Sequence, residues 1–98
     1  QDADNLDAIG ALGIGRTFAY GAVNNRVDYD PNILIGTEED YSESKGDSTT
    51  INHFYTKLFK IKDNMNTETA KQLANDRTQF MHEFVDRYIQ EWNGNFEM

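Results

Sequence analysis

In the second half of the chain, large apolar residues recur at intervals of three and four, which is the spacing of one helix face. The pattern predicts two helices, one from Ser48 to about Asp63 and one from an Asn66–Thr67 cap to Trp92. Their apolar stripes are Ile51, Phe54, Tyr55, Leu58, Ile61 and Met65 in the first, and Leu73, Phe80, Met81, Phe84, Val85, Tyr88 and Trp92 in the second. No alternating strand pattern competes, so 98 residues predict one small all-α domain.

Residues 1–23 predict a third helix of a different kind, from about Asp4 to Ala22. It is apolar and contains three interior glycines, Gly10, Gly13 and Gly15. Each of them costs a helix up to about 1 kcal/mol relative to alanine. Three glycines therefore indicate that another helix, or a ligand, closely approaches the bare backbone. We expect this helix to be central in the domain.

Residues 24–47 predict a long acidic loop, because they combine turn-forming residues with a polar stretch. Asp28, Asp30, Asn32 and Glu39 match four ligand positions of a calcium-binding loop. Ile33 stands where that loop requires glycine, however, and no helix signals flank the stretch at the proper distance. We therefore predict a solvated loop and no calcium site.

The net charge of −8 is unevenly distributed, with ten acidic and three basic residues in 1–47. Such a surface repels phosphodiester backbones, which argues against sequence-independent nucleic-acid binding, but it attracts divalent cations. No apolar run is long enough to span a membrane. The chain has no cysteine, which excludes thiolate chemistry and fits a reducing compartment. We expect a cytoplasmic protein.

Three aspartates, Asp2, Asp4 and Asp7, are crowded onto the start of the first predicted helix. Acidic residues favour the first turn of a helix through the macrodipole, but one would suffice for that. Asp4 and Asp7 share a face and repel each other unless a cation or a base lies between them. Their spacing leaves a metal or phosphate-handling site and simple capping as equal alternatives.

Arg16 is the only base in the first 25 residues and lies in an apolar segment. A charge there must be paired or must face a polar cavity. One of the aspartates or a bound phosphate could supply the partner. Of the two histidines, His82 is expected to be structural, and His53 is a weaker candidate for lining a pocket. They form no pair at ligand spacing, so this chain cannot assemble a histidine-rich metal centre.

The stretch QDADNLDAIGALGIGRTFAYG resembles the final signature of HD-domain phosphohydrolases of the small stand-alone bacterial branch. The stretch TTINHFYTKLFKIKDNMNTETAKQLANDRTQFMHEFVDRYIQEW resembles the C-terminal helices of that branch, including its HFYxKL, MNTxxA and FMxxF elements. The resemblance implies that residues 1–98 are the C-terminal part of a single HD domain. Residues 1–23 would be the metal-ligand helix, 24–47 the acidic loop and 48–94 two packing helices.

In this family a divalent metal is bound by a first His, a His-Asp pair and a distant Asp in an AD-x-L-D element. The resemblance therefore implies that Asp4 is the fourth ligand of Mn²⁺ or Mg²⁺. Asp2 and Asp7 would be neighbours that orient or tune the site. Asn5 departs from the arginine often found after the ligand. The chain contains no His-Asp dipeptide, so the other ligands are expected in a missing N-terminal half.

The activity that the resemblance implies is metal-dependent hydrolysis of a phosphorylated small molecule, with nucleotides as the favoured substrate class. The metal would activate water to attack a phosphate. Arg16 and Lys57 are candidates to stabilise the phosphates, and Asp7 is a third candidate catalytic residue. With one metal ligand of four, this chain alone is predicted to be inactive. The alternative is a non-catalytic helical interaction module that binds a partner in the groove between the last two helices.

Overall fold

The computed structural model describes residues 1–32 and 49–94. All regular secondary structure in these two ranges is helical, which confirms the all-α prediction. The elements are α1 (Asp2–Asp7), α2 (Gly10–Val23), α3 (Thr50–Thr56), a 3₁₀ helix (Leu58–Asn64) and α4 (Glu68–Trp92). Most of the predicted acidic loop lies outside the described residues. Among the helices of the described ranges, none is long and apolar enough to cross a membrane.

The single helix predicted over residues 4–22 is wrong, because the segment forms two helices that break at Ala8–Ile9. Gly10 follows the break with a φ of +74°, a backbone conformation that favours glycine. A Cβ at Gly10 would lie 3.0 Å from Cγ of Arg77 on α4. The guanidinium of Arg77 donates a 2.8 Å hydrogen bond to the carbonyl oxygen of Leu6 on α1. The break thus lets one arginine of α4 contact both short helices.

Gly13 marks a second close approach, since a Cβ there would overlap the carbonyl oxygen of Ala8. Gly13→Ala should therefore lower the free energy of unfolding by about 1–2 kcal/mol through overpacking. Gly15 is the matched control, because a Cβ there meets no atom within 4 Å. Gly15→Ala should raise the stability by up to about 1 kcal/mol through helix propensity. Urea denaturation of the two variants measures the difference, and equal stabilities would contradict the contact at Gly13.

The helix predicted from Ser48 to Asp63 is also interrupted, because α3 ends at Thr56 and the chain continues after Lys57 as the 3₁₀ helix. Thr49 caps α3, with its Oγ1 accepting a 3.0 Å hydrogen bond from the backbone N–H of Asn52. The predicted apolar face survives the interruption. Its buried members are Ile51, Phe54, Leu58, Ile61 and Met65. Lys57 occupies the corner between the two helices and is exposed.

The long helix α4 begins as predicted, with Thr67 Oγ1 accepting a 3.1 Å hydrogen bond from the N–H of Ala70. Its predicted stripe is only partly buried. Met81 and Val85 are buried, whereas Leu73, Phe80 and Trp92 are 44%, 49% and 51% exposed. The remaining buried positions of α4 are the small residues Ala70, Ala74 and Thr78. Small side chains allow close contacts between helices. The buried face of α4 is therefore rotated, relative to the predicted stripe, towards these small residues, and the large apolar residues lie at its edge.

The core is centred on Phe54 of α3, which is fully buried. Its ring lies 6.0, 6.1 and 6.3 Å, centroid to centroid, from the rings of Phe18, Phe59 and Phe84. These three rings come from α2, the 3₁₀ helix and α4, so four elements meet at one side chain. This cluster fixes how α2 and the end of α3 face each other.

The expectation that the first apolar segment lies at the centre of the domain stays a prediction, and within the described residues α2 fully buries none of its large side chains. The buried residues of α2 are the three glycines Gly10, Gly13 and Gly21. Leu12 and Val23 are 57% and 80% exposed. Among the described residues α2 packs on α4, α1 and α3, and it leaves these two apolar side chains largely exposed.

Candidate functional site

Of the three crowded aspartates, Asp2 has a structural contact at the start of α4. Its Oδ1 accepts hydrogen bonds from the backbone N–H and the side-chain amide of Asn66, at 2.9 and 3.1 Å. Its Oδ2 accepts hydrogen bonds from the N–H and hydroxyl of Thr67, at 3.2 and 3.3 Å. The backbone hydrogen bond from Asn66 is the main reason that the pKa of Asp2 lies below its usual value. Capping therefore explains the position of Asp2, but the helix that it caps is α4 and not α1, on which Asp2 itself lies.

Asp4 and Asp7 both lie exposed on α1. Asp4 offers a carboxylate, an oxygen ligand of the kind that Mg²⁺ and Mn²⁺ accept. Within residues 1–32 and 49–94, however, no three His, Cys, Asp or Glu side chains are grouped so that they could hold a metal ion. The described residues therefore do not make a metal site by themselves, and Asp4 fits only as one ligand of a shared site.

Arg16 is held by the end of α1. Its Nη1 donates a 3.3 Å hydrogen bond to the backbone carbonyl oxygen of Asp7, and its side chain is exposed. No carboxylate in the described part of the chain pairs with this guanidinium. The sequence left two partners open for Arg16, an aspartate carboxylate or a bound phosphate. The described structure does not contain the contact with an aspartate carboxylate.

Arg16 and Lys57, which the sequence singled out separately, line the same cleft. The cleft has a volume of about 380 Å³ and also contains Arg26, Tyr20 and His53. Its other lining residues are Ala8, Gly13, Thr17, Leu58 and Ile61. We call this the basic cleft, because three lining residues are cationic and none is acidic in a chain of net charge −8. Such a concentration of positive charge attracts anions.

Arg26 is the residue of the basic cleft that sequence reasoning missed. Its guanidinium carbon lies 5.6 Å from the centroid of the Tyr20 ring, a cation–π contact. Its Nη1 is buried and has no hydrogen-bond partner among the described residues. No signal in the sequence distinguishes it, since Arg26 is simply the next base after Arg16 and follows directly on the Asn24–Asn25 turn.

His53 lies half-buried and lines the basic cleft together with Arg26 and Lys57. Burial, and to a smaller extent the positive charges of Arg26 and Lys57, lower the pKa of His53 to about 4. The imidazole is therefore neutral near pH 7 and adds no charge to the cleft. The location agrees with the pocket-lining alternative for His53. His82 stacks on the ring of Phe59 at 3.7 Å between centroids, as a structural residue would.

The low pKa of His53 predicts a loss of stability in mild acid. Its folded-state pKa of about 4 lies below the ordinary histidine pKa of 6.5, so between these values the unfolded chain binds more protons. Stability should thus fall as the pH falls from 6.5 towards 4. The full shift would amount to about 3 kcal/mol, and solvent screening of this partly exposed group reduces the expectation to about 1–2 kcal/mol. Denaturation at both pH values should show a shallower pH dependence for His53→Gln, and an unchanged one would contradict the assignment.

The chain is similar in sequence and fold to several known proteins. No family model matches the chain. The uncharacterized protein YpgQ of Bacillus subtilis is 41% identical over 85 residues, which are 87% of this chain and 34% of YpgQ. A solved structure from Lactobacillus plantarum is 50% identical with a TM-score of 0.82, covering 96% of this chain and 47% of that one.

Two further solved structures bear on function. A protein of Bacillus thuringiensis, named as an HD-superfamily hydrolase, is 48% identical with a TM-score of 0.79 and is matched by 95% of this chain. YpgQ has been solved in complex with ADP; that structure has 35% identity, a TM-score of 0.65 and coverage of 93% of this chain. The chain spans 44% of the Bacillus thuringiensis protein and 40% of YpgQ, less than half of each.

Proposed function

Because the chain corresponds in sequence and fold to about half of an HD-superfamily hydrolase, we propose that it is the C-terminal part of a metal-dependent nucleotide phosphohydrolase. The basic cleft is the observation that carries the proposal. Arg16 comes from α2 and Lys57 from the end of α3, yet both line one cavity of a strongly acidic chain. The ADP complex of YpgQ supports a nucleotide as the ligand class.

In the proposed enzyme the cations of the basic cleft bind the phosphate oxygens. Arg16 and Lys57 would stabilise the negative charge that develops on a phosphoryl group during its transfer. The backbone of Asp7 contributes by orienting Arg16 through the 3.3 Å hydrogen bond to its carbonyl oxygen. A guanidinium held in this way loses less conformational freedom when it binds a phosphate.

Asp4 would supply one metal ligand of the proposed enzyme, and the other ligands would come from the part of the domain outside this chain. HD-superfamily hydrolases are generally metal-dependent. A divalent ion such as Mn²⁺ or Mg²⁺ supplies an activated water at neutral pH. Since the described residues hold no complete ligand set, the 98-residue chain alone should release no phosphate.

Single substitutions in the basic cleft test the proposal in the full-length protein. Arg16→Ala and Lys57→Ala should each raise the KM for the nucleotide about 10-fold or more, because each removes a charge-assisted hydrogen bond worth about 1.5–3 kcal/mol. Lys71→Ala is the matched control, since Lys71 is an exposed lysine of α4 that does not line the cleft. Phosphate release in Mn²⁺ buffer is the readout. Wild-type kinetics in both cleft variants would refute the proposed role of the basic cleft.

The exposed apolar side of α2 favours one further element of the proposal. Leu12 and Val23 are 57% and 80% exposed, and the chain spans less than half of its relatives. We propose that the remaining part of the domain packs on this side. The alternative function, a non-catalytic helical interaction module, would use an exposed surface for a separate partner. Metal-dependent phosphate release by the full-length protein distinguishes the two, since only the hydrolase shows it.

A further inference from the structure

The helix that contains Asp4, α1, is too short to keep its position without contacts to other elements. It has six residues, none of which is fully buried, and isolated helices shorter than about 12–15 residues are marginal in water. Asp4 is exposed, and its carboxylate makes no hydrogen bond or ion pair with the rest of the described chain. The position of this carboxylate therefore depends on the contacts that hold the backbone of α1.

The long helix α4 contacts both ends of α1. At the start of α1, the carboxylate of Asp2 accepts four hydrogen bonds from the residues that cap α4. At its end, Nη1 of Arg77 donates a 2.8 Å hydrogen bond to the carbonyl oxygen of Leu6. We propose that Arg77 is a positioning residue for the metal site, because it fixes the end of α1 and thereby the direction of the Asp4 carboxylate. This inference rests on the proposed function, and it assigns to α4 a role in metal binding.

Arg77 is itself held in a defined position. Its aliphatic stem crosses Gly10, where an added Cβ would lie 3.0, 3.1 and 3.2 Å from its Cγ, Cβ and Cδ. The side chain is partly buried, and its guanidinium forms no ion pair within the described ranges. The carbonyl oxygen of Leu6 is thus the polar group that this arginine binds.

The end of α1 offers acceptors that suit an arginine. The last carbonyl oxygens of a helix lack donors from further turns, and positive charge near them is favourable. Arg16 of α2 binds the carbonyl oxygen of Asp7 at 3.3 Å in an exposed position. The hydrogen bond from Arg77 to Leu6 is shorter, at 2.8 Å, and partly buried. Of the two arginines, Arg77 therefore contributes more to fixing the end of α1.

A fixed α1 matters because the proposed metal site is shared. Asp4 would supply one ligand, and Mg²⁺ accepts little departure from octahedral geometry. If the end of α1 moved, the Asp4 oxygens would shift relative to ligands that lie outside this chain. Residues that orient metal ligands typically contribute 10- to 100-fold in metal affinity. We expect an effect of this size from the loss of the Arg77 contact.

Mn²⁺ titration of the full-length protein, followed by the paramagnetic resonance of free Mn²⁺, tests the inference. Arg77→Met keeps an unbranched stem across Gly10 but removes the donor, and it should weaken Mn²⁺ binding about 10-fold or more. Arg77→Lys keeps the charge on a flexible stem and should give an intermediate affinity. Arg87→Met is the matched control, because Arg87 is exposed on α4 and contacts Glu91 at 4.0 Å. Wild-type affinity in Arg77→Met would overturn the inference.

Hydrogen exchange of the metal-free, full-length protein separates positioning from a general loss of stability. The amides at the end of α1 should exchange about 10-fold faster or more in Arg77→Met, while the amides of α3 keep their wild-type rates. Uniform acceleration in both helices would overturn the inference. If Arg77→Met fails to fold, the wild-type protein and Arg77→Lys still test it. An unprotected α1 in the wild-type protein, or wild-type exchange and Mn²⁺ affinity in Arg77→Lys and Arg77→Met alike, would contradict it.

Kinetics provide a third readout. Arg77 does not line the basic cleft, so the KM for the nucleotide should stay unchanged in Arg77→Met. Phosphate release at limiting Mn²⁺ should fall about 10-fold and should recover in excess Mn²⁺, as expected when only metal affinity is reduced. A raised KM with an unchanged Mn²⁺ dependence would place Arg77 in nucleotide binding and would overturn the inference.

The failure of this inference and the failure of the proposed function are distinguishable. Mn²⁺ binding and hydrogen exchange require no turnover, whereas the phosphate-release assay does. Phosphate release by the wild-type protein, with unchanged Mn²⁺ affinity in Arg77→Met, would remove the role of Arg77 and leave the hydrolase. Weakened Mn²⁺ binding in Arg77→Met, without phosphate release by the wild-type protein, would support the role of Arg77 and remove the hydrolase.

Discussion

Replacing Asp4 by asparagine should reduce phosphate release by the full-length protein about 1,000-fold or more, because a metal ligand worth about 4 kcal/mol of transition-state stabilisation is lost. The amide keeps the shape of the side chain but removes its negative charge. Bound Mn²⁺ should fall as well, since neutral oxygen ligands hold divalent ions more weakly than carboxylates. The two measurements are the rate at saturating nucleotide and the metal content after gel filtration.

Asp63→Asn provides the control for Asp4, because Asp63 is exposed and contacts only Lys62, at 3.5 Å, in the ion pairs of the described residues. Its rate and metal content should match those of the wild-type protein. If the Asp4→Asn variant kept the wild-type rate and the wild-type metal content, Asp4 would not be a metal ligand. The carboxylates of Asp4 and Asp7 would then be solvated groups at the first turns of the fold.

Phe54→Ala should destabilise the protein by about 3–5 kcal/mol, which is the usual cost of removing a fully buried phenylalanine. We expect a cost at the upper end of this range, because the ring of Phe54 packs against aromatic rings from three other elements. Movement of one of these elements alone would not fill the cavity that the substitution leaves. Urea denaturation followed by circular dichroism measures the change.

Phe80→Ala is the matched control for Phe54, since Phe80 is 49% exposed on α4. It removes the same group of atoms and should cost less, about 1–2 kcal/mol, because about half of its surface stays in contact with water. Similar losses in the two variants would show that the core is not centred on Phe54.

The existence of the helices could be predicted from the sequence, whereas their interruptions could not. The caps at Thr49 and Thr67 and the spacing of Phe54 and Met81 are local signals, and local signals specify local structure. The break before Gly10 depends on Arg77 of α4, which is 67 residues away. Glycine permits both a helical and a positive φ, so the sequence around position 10 does not distinguish them.

In the candidate site, too, some residues could be predicted from the sequence, whereas their arrangement could not. Arg16 stood out because a charge in an apolar segment requires an explanation, whereas Lys57 was a candidate only through its placement on the second predicted helix. That the two line one cleft depends on the corner at Lys57 and on the packing of α2 on α3. Arg26 was missed because a base after a turn resembles any loop residue. Its significance lies in contacts with Tyr20 and Gly21 that only the folded chain provides.

Thr67 and Asp2 both cap the start of α4, but they lie at very different distances along the chain from the residues that they contact. This difference implies an order in which the contacts form during folding. The Thr67 cap joins residues three positions apart and can form together with the first turn of the helix. The Asp2 cap joins residues 64 and 65 positions apart and requires closure of most of the chain. We therefore expect α4 to nucleate on its own cap and α1 to dock afterwards. Loss of the Asp2 contact should then accelerate unfolding far more than it slows refolding.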